Sequence, residues 1–139
     1  MVKAKLNWTG GLRFEGLSEF GHKIVTDGSK SAGGTESGYK PTELVMVGLA
    51  GCTGMDVVNI LKKMHQDLKG VEIEVSGYQP EQYPKPFNRI EVIYRFSGKG
   101  LDKNKVEQAI MLSEEKYCSV SQSLKGMAKI ESKYEIREI

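Results

Sequence analysis

Leu44-Val45-Met46-Val47-Gly48-Leu49-Ala50-Gly51-Cys52-Thr53-Gly54-Met55-Asp56-Val57-Val58-Asn59-Ile60-Leu61-Lys62-Lys63-Met64 has the composition of one long helix at the centre of a fold. Its first half is apolar around the whole circumference, and such a helix is buried on all sides. Pro41 suits the first turn, and Glu43 in that turn complements the helix N-terminus. Gly70, after Lys69, is expected to end the helix. Gly48, Gly51 and Gly54 recur at every third position, nearly on one stripe. Each costs about 1 kcal/mol of helix propensity relative to Ala. A bare Cα permits close approach of another helix or backbone, which is the reason such a stripe requires. With 139 residues the chain can hardly cover this helix alone, so a second copy across a two-fold interface is expected to help.

Outward from the helix, the pattern turns to strands. Residues 2 to 8 alternate, with Val2, Ala4, Leu6 and Trp8 on one face and Lys3, Lys5 and Asn7 on the other. Gly10-Gly11 is a turn, Leu12 to Gly16 a return strand, and His22 to Gly28 a third strand. The Gly-, Ser- and Thr-rich stretch from Asp27 to Tyr39 is expected to be a long exposed loop, and loops of that length are often functional. Beyond the helix, Val71 to Val75 and Arg89 to Phe96 read as strands, the latter with Ile90, Val92, Tyr94 and Phe96 on one face. Asp102 caps a helix carrying Val106, Ala109, Ile110 and Leu112 at helical spacing. A short helical segment from Ser119 to Leu124 and a strand from Lys129 to Ile139 close the chain. Runs of strands separated by helices indicate an α+β domain with a mainly antiparallel sheet, here a single domain over residues 1–139.

The net charge of +2, with Lys and Glu scattered in mixed sign, argues against a nucleic-acid partner. The apolar run from Leu44 to Met55, closed by Asp56, is too short to span a bilayer, so no membrane partner is expected. The N-terminus has no secretory pattern, and a cytoplasmic protein is expected. In that compartment two cysteines are not a structural framework by default. Cys52 and Cys118 can be inert buried thiols, metal ligands or a redox pair. They lie 66 positions apart, so only the fold brings them together. His22 and His65 stand at no zinc-finger interval from either cysteine, and no metal is expected. Gly33-Gly34-Thr35-Glu36-Ser37-Gly38 lacks the lysine of a phosphate loop, and no cofactor is expected.

Tyr39-Lys40-Pro41-Thr42-Glu43-Leu44, followed by Gly48-Leu49-Ala50-Gly51-Cys52-Thr53-Gly54-Met55-Asp56-Val57-Val58, resembles the signature of the OsmC/Ohr family of osmotically induced and organic-hydroperoxide-resistance proteins. Its wording is closer to the OsmC-like branch than to Ohr proper. Glu115-Lys116-Tyr117-Cys118-Ser119-Val120-Ser121 resembles the family's second cysteine segment. The resemblance implies an OsmC-like intertwined homodimer, with sheets around two long central helices packed side by side. It also implies a thiol peroxidase acting on a small hydroperoxide. Cys52 would be the peroxidatic thiolate that becomes a sulfenic acid, and Cys118 would resolve it to a disulfide that a dithiol reductant reopens. A thiolate needs a neighbouring cation. Among Arg13, Arg89, Arg95 and Arg137, Arg13 best matches the family's catalytic arginine, and Glu43 is the acid that would orient it.

The sequence departs from that pattern at two places. The family's glutamate directly follows the proline, whereas here Thr42 stands there and Glu43 comes one residue, about 100° of helix, later. The second cysteine is commonly followed by proline, and here Ser119 follows it. Two other readings therefore stand beside the peroxidase. One is a small-ligand-binding protein on the same scaffold with Cys52 merely packed, and the other treats both thiols as core filler.

Overall fold

The computed structural model describes residues 1–139 as two compact units, Met1–Val45 and Met46–Ile139. In the first unit β1 (Leu6–Gly10), β2 (Arg13–Leu17) and β3 (Lys23–Thr26) form an antiparallel meander in that order. The turn between β1 and β2 uses Gly10 at φ 112° and Gly11 at φ 55°, a backbone that side chains disfavour. The strand expected over residues 2 to 8 is shorter, and its alternation before Leu6 is not used. Leu6 already pairs with Gly16, next to the end of β2, so the earlier residues have almost no strand opposite them.

The segment from Asp27 to Tyr39 also differs from a simple exposed loop. It holds a short 3-10 turn at Lys30–Ala32, and Asp27 at its root is buried. Asp27 Oδ2 accepts from the amide and hydroxyl of both Thr35 and Ser37, while Oδ1 accepts from the Gly28 amide. The Ser37 hydroxyl first, then that of Thr35, hold this carboxyl far below the usual carboxylate range. The small polar residues thus tie the loop to one carboxylate.

α1 (Pro41–Lys63) opens in the last residues of the first unit and continues into the second. It ends at Lys63, earlier than expected. His65 takes a left-handed φ of 59° just beyond, and a new strand has begun by Asp67. Gly70 therefore caps nothing. It lies in that strand, β4 (Asp67–Tyr78), at a register shift where a Cβ would stand 2.7 Å from the Ser97 hydroxyl oxygen. At 23 residues α1 is also long and apolar enough to cross a membrane by length and composition alone, unlike the shorter run read from the sequence. Its Leu49, Thr53, Val57 and Leu61 are buried within the second unit, which is the pattern of a core helix.

In that unit β5 (Arg89–Lys99) lies between β4, antiparallel, and β6 (Lys129–Glu138), parallel. Three of the four strand pairings in the chain are antiparallel. The parallel one is reached through α2 (Lys103–Leu112), a π-helical turn (Ser113–Tyr117) and α3 (Ser119–Leu124). Asp102 caps α2 by accepting from the Asn104 amide at 2.9 Å. Ile90, Val92, Tyr94 and Phe96 on β5 are all buried, with the Tyr94 and Phe96 rings stacked 5.9 Å apart. Val106, Ala109 and Ile110 of α2 join them in one core with Leu49, Val57 and Leu61. The other side of α1 is uncovered in the single chain: Val47, Met55 and Val58 are exposed. A Cβ at Gly54 would meet Ile73 Cδ1 at 3.0 Å, whereas one at Gly48 or Gly51 would meet nothing. The close approach expected along the glycine stripe is met within the chain only at Gly54.

Candidate active site

Cys52 is half-buried in the middle of α1, and Asp56 follows one turn later on the same face. The second thiol is delivered by a change of helix geometry. The π-helical turn after α2 lets the Cys118 amide bond the Ser113 carbonyl at 2.7 Å, and the chain then leaves the helix. Cys118, extended at φ −75°, ψ 103°, caps α3, with its Sγ accepting from the Ser121 amide at 3.3 Å. The two sulfurs and a carboxylate oxygen of Asp56 all lie within 4.8 Å of one another. Ser113 Oγ holds that carboxylate from behind, donating to Oδ2 at 2.9 Å.

The two thiols are unlike. Cys118 is fully buried, and desolvation above all pushes its thiol up to about 11. The Ser121 amide works against that shift, while Cys52 and the Asp56 charge add to it. At neutral pH Cys118 is a protonated thiol without access to solvent, and Cys52 is the sulfur a reagent can reach. The arrangement suits a sequential reaction in which Cys52 reacts first and Cys118 second.

Of the four residues singled out in the sequence, the fold brings Cys52 and Cys118 together. Arg13 and Glu43 belong to the first unit and have partners there. Arg13 Nη1 donates to Thr9 Oγ1 at 3.0 Å, and its Nη2 lies 2.8 Å from Glu15 Oε1. Glu43 Oε1 accepts from the Lys40 amide at 3.0 Å, the back-reach of a capping box at the start of α1. Sequence reasoning passed over Asp56 as a member of the thiol cluster. The signal was its four-residue spacing from Cys52. It also passed over Thr53, which is buried beside Cys52 and whose hydroxyl lies 2.8 Å from both Tyr94 OH and Ser113 Oγ.

Comparison with known proteins finds relatives of this chain. A family model described as OsmC-like protein matches residues 34–133. Protein YhfA of Escherichia coli strain K12 is 34% identical over 135 residues, covering 97% of this chain and 98% of that relative. A hypothetical protein from Aquifex aeolicus VF5 superposes with a TM-score of 0.88 at 29% identity, covering 100% of this chain and 98% of that one. An organic hydroperoxide resistance protein OsmC from Legionella pneumophila has the same fold, with a TM-score of 0.70 at 18% identity over 96% of this chain and 97% of that one.

Proposed function

This chain belongs to the OsmC-like protein family, and from that premise we propose that it is a thiol-dependent peroxidase reducing organic hydroperoxides or hydrogen peroxide. The observation that carries this reading is the pair of sulfurs within 4.8 Å of each other, one reachable and one buried. Cys52 as thiolate attacks one peroxide oxygen, and the O–O bond breaks. The sulfur is oxidised to sulfenic acid, and the departing alkoxide takes a proton and leaves as an alcohol. Cys118 then attacks the Cys52 sulfur. The S–S bond forms, and the hydroxide that leaves takes the Cys118 proton as water. A dithiol reductant reopens the bridge by exchange. Burial of Cys118 keeps the second thiol protonated until the first is oxidised, which favours this order.

The family resemblance supplies the remaining roles. In it Arg13 is the residue for stabilising the thiolate and Glu43 the one for orienting that arginine, and both would first have to leave their present partners, Thr9 and Glu15 for Arg13 and the Lys40 amide for Glu43. Two chains form a homodimer across the uncovered face of α1, where Gly48 and Gly51 leave room and Val47, Met55 and Val58 lack cover. The protein works in the cytoplasm, where dithiol reductants are available. The name of the Legionella relative agrees with a hydroperoxide as substrate.

Titration of the reduced protein with an organic hydroperoxide, followed by thiol counting and mass spectrometry, tests the reading. Loss of both thiols per chain and a Cys52–Cys118 bridge are expected, and Cys52→Ser should consume no peroxide. Two free thiols after excess peroxide would remove it. One observation favours a second reading, a non-catalytic small-ligand-binding protein: Glu43 is engaged in the capping box of its own helix. An unreactive parent whose Cys52→Ala variant binds ligand unchanged would decide for that alternative.

A further inference from the structure

Behind the thiols a line of hydroxyls crosses the core of the second unit. Asp56 Oδ2 is 2.9 Å from Ser113 Oγ, which is 2.8 Å from Thr53 Oγ1. Thr53 Oγ1 is 2.8 Å from Tyr94 OH, and that hydroxyl is 2.8 Å from Glu114 Oε1. Ser132 Oγ closes on the same Glu114 oxygen. Thr53, Tyr94 and Ser113 are buried almost completely, so no bulk water reaches the three middle hydroxyls.

Counting hydrogens gives the consequence. Four links join the two carboxyl groups, and the three hydroxyls between them hold three hydrogens. If both carboxyls are ionised, Ser113 donates to Asp56 and Tyr94 to Glu114, and Thr53 has one hydrogen for two neighbours. One link is then two oxygens facing each other at 2.8 Å with nothing between them. A single added proton removes the conflict at either end. On Asp56 it makes every hydroxyl donate toward Glu114, and on Glu114 it makes every hydroxyl donate toward Asp56. Both states satisfy all four links, and the passage of one hydrogen across each of the four links interconverts them.

We propose that Asp56 and Glu114 share one proton along this line, and that the line is a proton relay between the thiol pair and the far side of the unit. Its inner end faces Cys52 and Cys118, with Lys63 and Tyr117 on the wall of the adjoining hollow of about 330 Å³. Its outer end lies on another hollow, of about 230 Å³, with Glu107, Glu115, Lys133 and Tyr134. The use of the relay rests on the peroxidase reading; the shared proton does not. In turnover, an ionised Asp56 accepts the Cys52 proton while Glu114 releases its own to solvent. The alkoxide that leaves takes a proton back by the reverse path. Tyr94 remains a neutral link throughout, because burial first of all, and the neighbouring Glu114, hold its hydroxyl well above the ordinary tyrosine range.

Infrared spectroscopy of the reduced protein at neutral pH tests this without any peroxide. A band from one protonated carboxyl group per chain is expected, shifting in heavy water. Thr53→Val and Tyr94→Phe each cut the line at a different point and leave enough hydroxyl hydrogens for two ionised carboxylates. The band should be lost in both, with circular dichroism confirming the fold. No band in the wild type overturns the proposal, and so does a band that survives either cut in a folded variant. Peroxide consumption in the same samples separates the two readings. A band lost on cutting, without consumption, upholds the shared proton and removes the peroxidase. Consumption without a band does the reverse.

Discussion

Oxidation of the thiol pair should stabilise the fold by an amount the sequence separation sets. A bridge between Cys52 and Cys118 closes a loop of 66 positions. On the chain-entropy account, closing a loop of this size removes enough freedom from the unfolded chain to be worth about 4 kcal/mol at room temperature. Two costs act against it. The sulfurs, within 4.8 Å in the reduced protein, must close to about 2 Å. The bond from the Ser121 amide to the Cys118 sulfur is also disturbed, a loss of about 1 kcal/mol. The net gain expected is about 2–3 kcal/mol. With a urea slope of about 2 kcal/mol per molar, the midpoint should rise by roughly 1–1.5 M. The assay compares urea unfolding of peroxide-treated and dithiol-reduced protein, with Cys118→Ala as the control that cannot bridge. An oxidised form no more stable than the reduced one, with the bridge verified by mass, would show that closing the sulfurs strains the core. The two thiols would then not be preorganised for one another.

Three further outcomes follow from the same geometry. The Cys118 thiol, raised from 9.0 to about 11, stays protonated in the fold after the unfolded chain has ionised. Its contribution to stability is whole below pH 9 and is lost as pH climbs to about 11, by roughly 2–3 kcal/mol. Urea melts across that window should narrow the gap between wild type and Cys118→Ala, and a constant gap would contradict the burial argument. Phe96→Ala empties a fully buried ring site on β5 and should cost about 3–5 kcal/mol in the same melts, whereas a loss below about 1 kcal/mol would mean the core refills. A Cβ at Gly51 has no atom within 4 Å and the position is exposed, so Gly51→Leu should leave the fold of the monomer unchanged by circular dichroism. Sedimentation should nonetheless find the variant less associated than the wild type, and equal association would place the dimer contact elsewhere.

The α+β class, the long apolar helix, the buried alternation of Ile90 to Phe96 and the Asp102 cap were legible in the chain because each is local. Helical and strand periods are set by backbone geometry, and a cap needs only the next two amides. Both thiols could be singled out for the same reason, by residue type and neighbours. Boundaries were less legible, because competition ends an element. α1 stops at Lys63 because β4 is paired along β5 from Asp67, and β1 is short because β2 offers nothing opposite residues 2 to 4. What only the tertiary structure decided is the company the sulfur keeps. A π-helical turn 60 positions further on brings Cys118 and Ser113 to Asp56 and Thr53, and a strand between them adds Tyr94. Those contacts join residues far apart in the chain, and their reason is burial. Once hydroxyls and carboxylates are taken out of water they must find one another, and no local pattern records which partner each will find.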